Sequence, residues 1–531
     1  MTWTWTTTST WTAIAAALLL AQPAAAQERP KEEELFGPSS PEAKAEARPE
    51  AGEGERPTDA EVFGNAPGAS GEAAGRPDAE GRLRDELTRT DNPLQVGGLL
   101  YLRSAATALQ STPPSRWTFS APSLADVFLD ARPGDRVRGF GLVRTFYDST
   151  AGGATGLAAL GPSQSGTLTS SSALQGKLDQ LWVRFDAART VFFTAGRQHV
   201  KWGVGRFWSP TDFLHANRRN PLAGFDDRTG TTMLKAHLPW EKNGSNFYAM
   251  LVADRLVTPP SSVFYAPPAQ AQNQVGAVGG AARAEVVLGS WELGIDGVAQ
   301  RGMEPRAGFD FSTAIWELDV RGEISVRRGS DGPRWRPLTD LTALIDPGSL
   351  RYQPRGLRTA AVLAADWQHK YSDEDTFTIG AEYFWNENGY SDPHVYPVLL
   401  FTNSFTPFYL GQHYAGLYLS FPRPGSWDLH TFTLSGLANL SDRSMVARLD
   451  WSYTLLTWLT LETYVAGHAG ARGGEFRFGL DVLDSYRVSL PRTACTAIGG
   501  SANAAGTECS TPAIRFAAPV VDVGVALRMA L

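Results

Sequence analysis

The chain has 531 residues, is 43% hydrophobic and carries a formal net charge of −7. No apolar run of 18 residues occurs after the amino terminus, which excludes helical membrane spans of roughly 20 mostly apolar residues. The acidic balance and the absence of basic clusters give no footprint for nucleic acid, whereas 53 glycines with plentiful Thr and aromatics beyond residue 95 bias the chain toward all-β structure.

Residues 13–21 (AIAAALLLA) form a short apolar core before Ala24-Ala25-Ala26. This reads as a secretory signal peptide over 1–26, cleaved after Ala26, although the first twelve residues carry no Lys or Arg. Residues 27–90 are Glu, Ala, Pro, Gly and Arg with few large apolar groups. They cannot bury enough surface to offset their ordering entropy and are expected to form a disordered periplasmic tail. Glu34-Leu35-Phe36-Gly37 and Glu61-Val62-Phe63-Gly64 repeat within that tail, either as a docking peptide for a periplasmic partner or by chance in a biased composition.

From residue 91 to 531 the pattern becomes strand, turn, strand, long loop. Short links such as Arg132-Pro133-Gly134-Asp135, Ala187-Ala188-Arg189 and Glu241-Lys242-Asn243-Gly244 alternate with long ones at 148–174, 255–277, 328–356 and 388–410. The parity gives eighteen spans: 95–104, 122–132, 136–147, 175–187, 190–202, 229–240, 245–254, 279–289 and 291–301, then 307–314, 317–327, 357–369, 376–387, 411–421, 427–438, 443–455, 459–470 and 515–530. In 317–327, Glu317, Asp319, Arg321, Glu323, Ser325 and Arg327 alternate with Leu318, Val320, Gly322, Ile324 and Val326. Side chains on a strand alternate between faces, so one face is ionic and the other apolar. A soluble sandwich would turn the charges to water; a membrane barrel turns them to an aqueous lumen. Aromatics gathered at strand ends (Trp240, Trp385, Trp451, Tyr453, Trp458) favour the barrel, because they suit interfacial girdles. The expected fold is an all-β transmembrane antiparallel β-barrel of about 16–18 strands with a disordered N-terminal tail.

The stretch Gly196-Arg197-Gln198 … Trp202-Gly203 … Trp208-Ser209-Pro210-Thr211-Asp212, followed by Arg228-Thr229-Gly230, resembles porin-type outer-membrane barrels of Gram-negative bacteria. The resemblance implies a Gram-negative outer-membrane location, contact with outer-membrane lipid and insertion by the barrel-assembly machinery. Such barrels usually end in an aromatic residue, whereas this chain ends Arg528-Met529-Ala530-Leu531.

A barrel of eighteen strands is wide enough for an aqueous channel. Alternation places Arg184, Asp186, Arg197, His199, Lys201, Lys235, His237, Asp319, Arg321, Glu323, Arg327, Glu382, Arg448, Asp450, Glu462, Asp522 and Arg528 on lumen-facing positions. Arg197, Lys201 and Lys235 suggest a basic patch for anionic solutes; the plainer alternative is that such charges solvate the wall and pair with one another. Loop 203–228, with Trp208, Asp212, Arg218 and Arg219, holds too many large apolar groups to stay solvated and is the candidate constriction. Cys495 and Cys509 form a candidate disulfide. The eight histidines show no metal spacing, no GxSxG elbow or P-loop is present, and only a forced pairing of His430 with Ser435 offers catalysis. No enzyme, metal or cofactor is expected. The leading function is a porin-like channel for small hydrophilic solutes. The alternatives are a barrel component of an envelope machine docked through the tail, such as a polysaccharide secretion outlet or a motility or adhesion complex, and a secreted soluble β-protein.

Overall fold

A computed structural model describes residues 93–531, apart from 135, 151–172, 224–225, 227, 258–273, 338–346, 373–374, 483–486, 489–500, 504, 506–508 and 511–513. The expected leader, the 27–90 tail and the Cys495–Cys509 disulfide lie outside the described residues.

Eighteen long strands and the short strand Thr118–Ser120 form one sheet. The long strands begin with β1 (Leu94–Leu109), β2 (Pro122–Gly134), β3 (Val137–Asp148), β4 (Leu174–Ala187), β5 (Val191–Gln198) and β6 (Thr231–Trp240). They continue with β7 (Ser245–Val252), β8 (Gly279–Leu288), β9 (Trp291–Ala299), β10 (Arg306–Ile315), β11 (Leu318–Arg328) and β12 (Leu357–Lys370). The last six are β13 (Thr376–Asn386), β14 (His413–Pro422), β15 (His430–Asn439), β16 (Ser444–Leu456), β17 (Leu459–Gly470) and β18 (Pro519–Ala530). Each pairs antiparallel with the next, and β1 pairs with β18 from Leu99 opposite Ala530 to Leu109 opposite Pro519, closing the barrel. At the seam Gly98 and Leu531 exchange both backbone hydrogen bonds, at 3.0 and 2.8 Å. Closure leaves no row of unpaired backbone groups, which is what a sheet needs to cross hydrocarbon.

The strands are inside-out relative to a soluble protein. On β11, Arg321 is 6% and Glu323 3% exposed, whereas Ile324 between Glu323 and Ser325 is 40% exposed. Val521, Val523, Val525 and Leu527 of β18 face outward, and Asp522 and Ala526 are buried inward. Two aromatic belts bound this apolar exterior. At the short-turn rim, His430, Trp451 and Tyr453 stack with Trp427 tilted against His430, and nearby Trp367, His369, Tyr371, Phe377 and Phe421 form a second group. Tyr383 with His413 marks the long-loop rim. His430 therefore belongs to an outward girdle, while Ser435, five residues along the same strand, faces inward opposite Arg448. The two cannot act on one substrate.

Several strand ends are shifted from expectation, the last strand beginning at Pro519 instead of 515, and two of the shifts have a visible cause. β1 runs on to Leu109, because the Ala-rich 105–109 stretch pairs with both β18 and Thr118–Ser120. β5 stops at Gln198 instead of 202, since Trp202 is buried among Phe213, Met233 and Met250 in the interior and draws the chain off the sheet.

Leu363, 57% exposed at the middle of β12, faces lipid. Replacing it by Arg is expected to destabilise the folded barrel by about 2–4 kcal/mol, measured by denaturant titration in lipid vesicles; an unchanged midpoint would contradict the assignment of faces.

Candidate functional site

Residues 199–230, which join β5 to β6, fold into the bore rather than out over the rim. The chain reverses at Gly203, whose φ of +89° favours glycine and where a Cβ would sit 2.6 Å from the Glu323 carboxylate. Glu323, on the inner face of β11, accepts from the N–H groups of Val204, Gly205 and Thr211 and, at 2.8 Å, from the Thr211 hydroxyl. Glu382, on the inner face of β13, accepts from the N–H groups of Arg206 (2.7 Å), Phe207 (3.2 Å) and Trp208 (2.8 Å). These two carboxylates satisfy consecutive backbone donors that no sheet partner reaches. Trp208 is fully buried, stacks on Phe384 at 5.5 Å and donates its indole N–H to the Phe408 carbonyl at 3.0 Å. Phe207 fills the space left by Gly416, where a Cβ would lie 2.5 Å from the ring.

The returning half of the loop is tied to the opposite wall. Arg144 makes a bidentate pair with Asp126 (2.9 and 2.8 Å), and its other amino group donates to the Asp226 carbonyl at 3.3 Å. Asp212 accepts from Arg228 at 2.6 Å and lies 2.9 Å from His215 Nδ1. Burial alone would raise the Asp212 carboxyl, but the adjacent His215 and Arg228 outweigh it and hold the group well below the usual carboxylate range. Across the bore, Arg448 of β16 donates to the Leu222 carbonyl at 3.0 Å, so the loop spans the interior from β3 to β16.

The remaining inner-wall candidates are mostly paired. Arg321 bonds Asp366, Arg448 bonds Asp450, and His468 bonds Asp522 at 2.8 Å. Glu462 accepts from Tyr101 at 3.1 Å and lies 3.6 Å from Arg528. Asp319 accepts from Gln368, Arg184 lies over Phe192, Lys235 over Tyr248, and His237 bonds Asn246 at 3.0 Å. Asp186 pairs with Arg136 at the short-turn rim. His199 reaches Asp179 at 3.2 Å and Lys201 is exposed, both beyond the end of β5.

Arg197 is a correction. It stands opposite Leu181, which is 56% exposed to the outside, and it pairs with Asp254 at 3.3 Å. Thr194 and Gln198 are the buried residues of that strand end. The strand ends at Gln198, so alternation does not tie Arg197 to His199 and Lys201, and with Arg197 outward and Lys235 inward, Arg197, Lys201 and Lys235 form no common patch.

Above the loop, on the long-loop side, the described parts of connections 329–337, 347–356, 387–412 and 471–480 pack around Trp335, Tyr396, Leu399 and Phe478. Glu475 holds this cap to the barrel, accepting from the Phe408 N–H, the Tyr414 hydroxyl (2.5 Å) and the Asn439 amide (2.7 Å). Complete burial, reinforced by Asp442 against the opposing Tyr414 bond, pushes its carboxyl up to about 8. Between cap and inward loop lies a cavity of about 230 Å³, reached by Arg218, Arg306, Arg327, Arg334 and Arg358. Arg327 and Arg218 were sequence candidates. Arg306 and Arg358 were not, although both continue the inward parity of β10 and β12 by one position past the expected spans or beside their ends. Arg334 sits on a long connection and had no periodic signal.

A closed antiparallel barrel with an apolar exterior, aromatic rims and an ionic interior is a transmembrane β-barrel of the porin-like, outer-membrane kind. No protein-family model and no curated protein matches the chain. Among solved structures the chain is similar to the outer-membrane protein OpdK of Pseudomonas aeruginosa, at 8% identity and TM-score 0.45 over 82% of this chain and 98% of that one. It is similar also to OccK8 (OprE) of the same organism, at 8% identity and TM-score 0.46 over 82% and 98% of the two chains. A porin of Rhodopseudomonas blastica matches at 8% identity and TM-score 0.34, over 82% of this chain and all of that one (100%).

Removing the Glu382 carboxylate by Glu382→Ala strips three buried N–H groups of their acceptor, at about 1–3 kcal/mol each. Proteolytic cleavage within 203–228 is expected to rise at least tenfold while the barrel stays folded; unchanged cleavage would show that the loop is held by something else. Glu475 binds a proton in the folded state over a range where the unfolded chain has lost it, so protection of the cap should be full below about pH 4.5 and fall as pH rises toward 8. Hydrogen exchange across 396–408 at several pH values checks this, and Glu475→Gln should flatten the dependence.

Proposed function

We propose that the protein is an outer-membrane channel that passes small hydrophilic solutes through a charged lumen narrowed by loop 199–230. The observation that carries this is the loop itself: a wide barrel whose bore is crossed by a segment pinned at both walls by Glu323, Glu382 and Arg144. A barrel serving only as a scaffold has no need for a divider held by carboxylates buried in its wall. Paired charges on the inner face, such as Arg321 with Asp366 and Arg448 with Asp450, keep the passage polar without a strong net field. Residues 27–90 would serve as a handle for a periplasmic partner.

The test is single-channel recording of the purified full-length protein in planar bilayers. The native protein should give small, steady steps, and Glu323→Ala/Glu382→Ala should enlarge them several-fold by freeing the divider. An absence of steps from both forms would overturn the channel, and equal steps would remove the loop from its role as the constriction.

A further inference from the structure

The arginine-lined cavity lies on the long-loop side of the constriction, floored by Pro210 and Phe213 of the inward loop. Five guanidinium groups reach it, and the carboxylates beside them are few. Asp331 takes Arg306 and Arg327, the latter at 2.5 Å, and Glu387 takes Arg358 at 2.7 Å. Arg334 and Arg218 pair with no carboxylate among the described residues; they lie over the rings of Tyr390 at 3.6 Å and Tyr409 at 5.6 Å. The rings fix both guanidinium planes without neutralising them. Five cations against two anions leave an excess of positive charge in a walled space.

A second observation points the same way. The Arg306 side chain is only 8% exposed, and its Nε, like that of Arg358, is buried with no hydrogen-bond partner. Buried donors are normally satisfied, and both of these arginines line the one cavity. Guanidinium forks match the paired oxygens of carboxylates and phosphates. Asn386, Asn388 and Ser404 offer neutral polar contacts, and Phe384 an apolar wall, for the rest of a small molecule.

We propose that this cavity is a saturable binding site for a small solute bearing an oxyanion, a carboxylate or phosphate group, captured before it passes the constriction. The proposal rests on the channel function above for its biological sense, but the site can be tested without it. Titration calorimetry of the detergent-folded full-length protein, at constant ionic strength, would use sodium succinate, sodium phosphate and, as neutral control, glycerol. Saturable binding of succinate, phosphate or both, with none of glycerol, is expected, and the anion that binds identifies the group recognised. Arg218→Gln/Arg334→Gln should weaken that binding at least tenfold with the β-sheet circular dichroism unchanged; Arg334→Gln alone serves if the double variant does not fold. No saturable anion binding, or binding indifferent to these substitutions, overturns the site while leaving conductance to judge the channel. Anion binding by a protein that never conducts would keep the site and sink the channel.

Discussion

The structure of the bore depends on two carboxylates accepting backbone N–H groups. A loop that leaves the sheet and enters a barrel loses both its ladder partners and much of its water, and each orphaned amide then costs free energy. Glu323 and Glu382 stand on the inner wall two strands apart and between them receive the amides of Val204, Gly205, Arg206, Phe207, Trp208 and Thr211. The cost of burying each carboxylate is offset by several donors converging on it, so wall and loop stabilise one another. Without those contacts neither a buried Glu nor an inward loop would be tolerable.

That arrangement explains the packing around it. With residues 204–211 held against β11 and β13, Trp208 and Phe207 are carried onto the inner faces of β12–β17, where Val362, Phe384, Tyr414 and Tyr418 receive them. The interior apolar cluster of a membrane barrel is thus made by the loop, not by strand facing strand. The other half of the loop needs charge rather than apolar contact, and the linked Arg228, Asp212, Asp226 and Arg144 supply it. The inward loop also divides the interior: balanced ion pairs line much of the wall, whereas the arginines of β10, β11, β12 and the long connections meet above the loop.

The strands were legible because the same two signals recur in each of them. A period of two separates Arg448, Asp450 and Ser452 from Met445, Leu449 and Trp451, and turn residues such as Glu241-Lys242-Asn243-Gly244 mark where the chain must reverse. Closure followed from an even number of amphipathic strands, since an open sheet of that size would leave edges exposed. Arg197 shows where periodicity fails. Its face is set by hydrogen-bond register with Leu181 and Thr232, and the strand ends one residue later at Gln198, where alternation no longer applies.

By itself, then, the amino-acid order determined which residues form strands, which face of nearly every strand is ionic, and that loop 203–228 is too apolar to remain in water. These are local properties, written in spacing and composition within ten or so residues. Only the tertiary structure decided that Glu323 and Glu382 serve the loop's backbone instead of standing in an open lumen, and that Arg218, Arg306, Arg327, Arg334 and Arg358 share one cavity. Those residues come from an inward loop, three strands and a long connection, and barrel closure and loop insertion alone bring such distant positions together.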